Sequence, residues 1–163
     1  MSREPNQTDE QPVMLALSTF RQSEKAVELA LEKSRQENRR LVVVHVADRN
    51  LARYLVGQDL AVIDGGVFTG LRQKCEEDLL REHESQGREK AEAIAARARE
   101  KGIAVSALVE TGRFALVCLE VVAKERPAVI FTTRSKRPAW VKLFFGAPVD
   151  KLIAEAGCPV IEA

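Results

Sequence analysis

Thr132, Thr133, Arg134, Ser135 and Lys136 follow directly on the apolar run 128–131, and Arg137 and Lys142 extend the basic stretch with no acid until Asp150. An uninterrupted apolar run of this kind reads as a strand buried on both faces, and open α/β sheets bind ligands at the C-terminal ends of such strands. Hydroxyls beside cations suit an anion, with Lys136 or Arg137 replacing the backbone N–H donors of a glycine-rich cradle. The plainer reading of the same residues, and the favoured one, is a solvated basic loop. Trp140, Phe144 and Phe145 in the same stretch could form a docking surface, although anchoring the loop to the core is the simpler role for Phe144 and Phe145.

Other chemistry is poorly supplied. His45 stands mid-strand and His83 in the polar middle of a helix, neither with a neighbour at metal-ligand spacing, so His45 reads as a satisfied strand histidine and His83 as a solvated one. Glu76 and Glu77 sit together on a helix of solvated composition, a poor place for general-acid work. Gly-x-Ser-x-Gly, Gly-x-x-x-x-Gly-Lys-Ser/Thr and Gly-x-Gly-x-x-Gly are all missing. Cys75, Cys118 and Cys158 are odd in number and widely spaced, which fits unpaired core thiols rather than disulfides or a zinc knuckle. No catalytic or metal-binding residue is assigned, and the chain is expected not to be an enzyme, slow ATPase or phosphoryl chemistry being the alternative.

At 163 residues, 45% hydrophobic and 30% charged, the chain fits one domain with a sizeable core. Lys and Arg total 25 against 24 Asp and Glu, a balance that gives no global field for nucleic acid or an anionic membrane. Apolar runs fall well short of the ~20 residues of a membrane-spanning helix, and the first residues are polar throughout, so a soluble cytoplasmic protein without membrane insertion is expected. Residues 1–11 carry too few apolar side chains to offset the entropy of ordering and should form a loose tail before a domain over 12–163.

The elements that must position the basic loop follow from periodicity. Residues 13–17 read as a first buried strand, and 23–38 as a helix capped by Ser23, with Glu24 at its positive end and Lys33, Arg35, Arg39 and Arg40 at the other. The β-branched run 41–47 follows a helix and is therefore a parallel strand made by a crossover. Residues 49–69 read as an irregular excursion with one short helix near 51–55, and 71–101 as a helix that Gly87 should bend or expose. A third strand over 104–109 alternates as an edge strand does, a helix over 114–124 is stopped by Pro127, and a last helix from Pro148 leads to a fifth strand at 160–161.

This arrangement resembles the universal stress protein family over residues 13–161. The resemblance is carried by the helix start 23–30, His45-Val46, Glu110-Thr111-Gly112, Leu143-Phe144-Phe145-Gly146 and Cys158-Pro159-Val160-Ile161. It implies an adenine nucleotide alpha hydrolase-like α/β fold: a single open parallel five-stranded sheet, helices on both faces, strand order 3-2-1-4-5. It also implies a nucleotide site made by an acid ending strand one and by Gly-x2-Gly-x9-Gly-Ser/Thr after strand four. Those positions fall on Ser18 and on Thr133, Lys136, Gly146 and Ala147, so only Gly146 keeps the family residue. Ser18, Thr19, Val46, Thr132, Thr133, Lys136, Arg137, Gly146, Ala147 and Pro148 are the candidate lining of this degenerate site. Thr133 and Lys136 put side chains where phosphate needs close backbone approach, Ala147 lacks a hydroxyl, and Pro148 lacks an N–H.

The expected function is a stress-linked regulatory or binding domain that is not a competent ATP binder, with no cofactor. One alternative is an ATP- or AMP-binding stress protein with a remodelled basic phosphate loop; another is an accessory domain docking on a transporter or kinase through 49–69. Pro159, Val160, Ile161 and Glu162 end the sequence as an uncovered edge strand, so a homodimer through that strand is expected, and the resemblance implies the same edge. A further protein partner is allowed for; nucleic acid is not expected.

Overall fold

Val13–Ser18 forms a strand, β1, in which every side chain is buried. A strand with no wet face is stable only at the centre of a sheet covered on both sides. The computed structural model, which describes residues 11–19, 22–60, 69–134 and 148–163, provides that setting. After β1 come α1 (Glu24–Gln36), β2 (Leu41–Asp48), α2 (Arg49–Leu60), α3 (Thr69–Glu100), β3 (Val105–Gly112), α4 (Phe114–Glu125), β4 (Val129–Thr132), α5 (Pro148–Glu155) and β5 (Val160–Glu162). The strands form one parallel sheet in the order β3-β2-β1-β4-β5, as the resemblance implies.

Alternation along the strands divides the core in two. Val13, Leu15 and Leu17 of β1 join Leu41, Val43 and Phe131 against α1 and α3, through Ala26, Val27, Ala30, Leu31, Ala91, Ile94 and Ala98. Met14 and Ala16 join Val42, Val44, Val46 and Ile130 on the other face, against Phe114, Cys118 and Val121 of α4 and Val149 and Leu152 of α5. Each fully buried large aliphatic side chain contributes about 1.5–3 kcal/mol, so the two faces hold the sheet comparably.

Helix ends follow the capping chemistry. The Ser23 hydroxyl accepts from the Ala26 N–H at 3.3 Å, with Glu24 in the first turn of α1 and Lys33 and Arg35 in the last. Just beyond α1, α3, α4 and α5 the chain turns through a residue of positive φ: Asn38 (52°), Gly102 (71°), Arg126 (49°) and Gly157 (69°).

Four expectations are corrected. The stretch after β2 is not irregular at its start: α2 begins at once, because the Asp48 carboxylate accepts from the N–H groups of Asn50 and Leu51 at 2.9 and 3.2 Å. Gly87 neither bends nor exposes α3, which runs unbroken for 32 residues. Nor is His83 solvated: Leu80, His83, Gly87, Ala91, Ile94 and Ala98 lie three or four apart and form one buried stripe on α3, leaving His83 5% exposed. His45, likewise buried, has no hydrogen-bond partner on either ring nitrogen among the described residues, so it is not the satisfied histidine expected. Cys118 is buried and Cys75 and Cys158 are half-buried, and none of the three is in a disulfide among the described residues. No helix among the described residues is long and apolar enough to cross a membrane. The expected tail at 1–10 and the basic stretch 135–147 lie outside the described residues.

Gly87 sits where it does because α3 rides directly on His45: a Cβ at position 87 would stand 2.5 Å from the imidazole Nδ1. Gly87→Ala should therefore lower stability in urea titrations, although alanine is favoured in helices by about 1 kcal/mol, because overpacking a rigid core costs about 1–3 kcal/mol. In a His45→Ala background the same change should become neutral or stabilising.

Candidate functional site

The strand order reverses between β1 and β4, and the C-terminal ends of these two strands bound the crevice in which a doubly wound sheet binds ligands. Ala16 of β1 lies beside Thr132 of β4, and Ser18 beside Val46 of β2. The helices α1 and α5 follow β1 and β4, so both start at this edge with their positive ends toward it.

Two hydroxyls at the crevice, those of Thr132 and Thr133, are committed to the protein itself. Thr132 is completely buried and its Oγ1 donates to the Ala16 carbonyl at 2.9 Å, locking β4 to β1 beyond the last ladder bond. The Thr133 hydroxyl accepts from the backbone N–H of Ser23 at 2.9 Å. Ser23 in turn caps Ala26, so two N–H groups at the start of α1 are satisfied before any ligand arrives. Ser18 is buried, and Val46 points into the apolar core between the sheet, α4 and α5. Thr19 is half-buried, and its enclosed Oγ1 has no hydrogen-bond partner among the described residues.

Electrostatics at the two helix starts does not favour an anion. Glu24 occupies the first turn of α1, where Arg97 of α3 holds it at 2.7 Å, and Asp150 occupies the first turn of α5. Each carboxylate already takes the favourable end of its helix dipole. Pro148 opens α5 and offers no N–H. Exposed Arg134 is the cation described at this rim, its N–H donating to the Ala163 carbonyl at 3.0 Å.

Of the residues named from sequence, the structure brings together Ser18, Thr19, Val46, Thr132 and Thr133 at the ends of β1, β2 and β4, with Pro148 opening α5. Lys136, Arg137, Gly146 and Ala147 lie outside the described residues, as do Trp140, Phe144 and Phe145. Sequence reasoning missed the Thr133–Ser23 bond, which joins residues 110 positions apart, and the Asp48 cap. Asp48 was legible as a capping residue at the strand end; the Thr133 bond had no local signal.

A model of the universal stress protein family matches residues 10–161. The chain belongs to the universal stress protein family. Solved structures agree on the fold of this universal stress protein. A family member from Burkholderia pseudomallei matches with 18% identity and a TM-score of 0.61, covering 93% of this chain and 94% of the other. The universal stress protein UspA from Lactobacillus plantarum matches with 11% identity and a TM-score of 0.59, covering 94% and 99%. A family protein from Arabidopsis thaliana with AMP bound matches with 17% identity and a TM-score of 0.53, covering 93% and 90%. Among curated proteins no sequence match is found.

Removing the Thr133 hydroxyl should expose how far the crevice is self-satisfied. Thr133→Val should lower stability by about 1 kcal/mol, because the partly buried Ser23 N–H loses its acceptor, whereas Thr133→Ser should not. Urea midpoints at unchanged m-value measure the difference.

Proposed function

We propose that this chain is a non-catalytic, stress-linked regulatory or binding member of its family that has lost competence for ATP. The observation that carries this reading is the Thr133 hydroxyl on the Ser23 N–H, which puts a side chain and a closed hydrogen bond where the family's first phosphate-loop glycine would stand. The acids in the first turns of α1 and α5 and the missing N–H of Pro148 support it, since phosphate needs free donors and positive potential. Calorimetry with ATP and magnesium should give no measurable binding at tens of micromolar protein. A low-micromolar dissociation constant, about 8 kcal/mol of binding, would overturn the reading, because that energy requires a working cradle.

A second reading, an adenylate site remodelled around Lys136, Arg137 and Gly146, is favoured by the unpartnered, enclosed Thr19 hydroxyl at the mouth of β1. AMP bound to the Arabidopsis relative names the ligand to try. Under this reading Lys136→Ala weakens AMP binding and Ser18→Ala leaves it unchanged.

The assembly proposed is a homodimer through β5. Among the described residues this strand pairs with β4 alone, and Ile161 is 40% exposed at the sheet edge, with Pro159 also exposed. Pro159 accepts from the Ile130 N–H and the Ala163 N–H donates to the Thr132 carbonyl, so by alternation the N–H groups of Val160 and Glu162 face outward. An antiparallel copy across a two-fold axis would satisfy them. Val160→Pro removes an outward donor without touching the β4 ladder. In sedimentation equilibrium the native chain should be dimeric and this variant monomeric; a native monomer at tens of micromolar, or a dimeric variant, refutes the interface.

A further inference from the structure

The 32 residues of α3 are held to the sheet by two different kinds of contact. Its C-terminal half lays Ala91, Ile94, Ala95 and Ala98 on the sheet, an apolar attachment indifferent to pH. Its N-terminal half, 69–86, has among the described residues only Leu80 as a fully buried apolar side chain, with half-buried Leu79 packed beside it; His83, the Glu84 carboxylate accepting from the Thr111 hydroxyl of β3, and the backbone of Gly87 pressed against the His45 ring add to the attachment. That half also carries α2, through Arg53 to Glu76 at 2.9 Å and through Ala52 packed with Leu80 and Ala47.

We propose that α2 and the N-terminal half of α3 form an arm that mild acid releases from the sheet, with His45 and His83 as the groups whose protonation opens it. Gly87, where the apolar attachment begins, is the natural hinge, since glycine tolerates the change in backbone angles.

The charge surroundings of His45 make protonation in place unfavourable. On α3 it faces His83 and Lys90, both of which raise the cost of a positive ring, and Glu84 is engaged with Thr111. Leu17 of β1 and Val109 of β3, its register neighbours, bring no charge. On the same face α1 turns Ala26, Val27 and Ala30 to the sheet, and its Glu24 and Glu28 pair with Arg97 farther along α3. Asp48, three residues along β2, is used by the α2 cap. Burial therefore holds His45 down at about 4, with Lys90 and then His83 adding to the effect. Burial likewise lowers His83, against an opposing pull from Glu82.

Both histidines bind a proton more readily when the arm is open, so closure is strongest above the ordinary histidine range and weakens as pH falls from about 6.5 toward about 4. Between pH 7 and pH 5 the release of His45 alone should raise the open population about twenty-fold. In that window histidines, rather than ordinary carboxylates, change charge.

Hydrogen exchange on the full chain, with protection factors corrected for intrinsic rates, tests this at pH 7 and pH 5. Amides at 70–86 and in α2 should lose protection about twenty-fold or more, while those at 91–100 and in α1 change little. His45→Gln with His83→Gln, polar but unable to take up a proton, should abolish the difference between the two pH values. Should that double variant not fold, His83→Gln alone should reduce the difference, and NMR titration of the native imidazoles should place both below free histidine. Equal loss of protection in both halves of α3, a pH effect that survives the substitutions, or imidazoles titrating like free histidine would each overturn the proposal.

Discussion

A strand with no wet face must send each of its polar groups to a partner inside the protein, and β1 imposes that condition on everything around it. Its flanks are met by ladders to β2 and β4, but beyond Ala16 the ladder to β4 runs out. There the side chain of Thr132 takes over, and one residue later Thr133 reaches the start of α1. An unmade hydrogen bond at such depth costs about 1–3 kcal/mol, more than a made one contributes, so this closure is energetically enforced rather than incidental. The end of β4 is finished with two hydroxyls, Thr132 and Thr133, and both are spent on the fold.

The same strand pattern explains why the two faces differ in character. Alternation sends Val46 into the core under α4 and α5 while its neighbour His45 enters the core under α3. One face thus keeps its buried polar residues, Ser18 and Thr132, at the strand ends, whereas the other carries an imidazole midway that its covering helix approaches through a glycine. That helix continues beyond the sheet to meet α2, so the longest element of the chain depends on both an apolar and a polar seat.

Much of this was legible in the residues. Buried parallel strands announce themselves as unbroken apolar runs, and Ser23, Gly102 and Pro127 mark helix boundaries by stereochemistry alone. The strand order was not readable from pattern, since any parallel order satisfies the same periodicity; family resemblance supplied it. Gly87 was misread because a glycine in a polar stretch looks like a break when composition is averaged, while the spacing from Leu80 through His83 to Ala91 keeps one face in register. At the site, Thr133 and Ser23 were each singled out, yet nothing local joins residues 110 positions apart.

The four left-handed turns at Asn38, Gly102, Arg126 and Gly157 all lie at one edge of the sheet, each returning a helix to a strand within a few residues. Short, stereotyped returns fix where each strand is delivered and involve only local loop closure, which is entropically cheap. At the opposite edge side chains hold the described connections instead, Asp48 at the start of α2 and Thr133 on Ser23. The chain is in effect a chassis with interchangeable fittings: surface connections between its elements tolerate changes of length and sequence without altering how the strands are threaded. A scaffold divided in this way can change what it recognises while the route by which it folds stays the same.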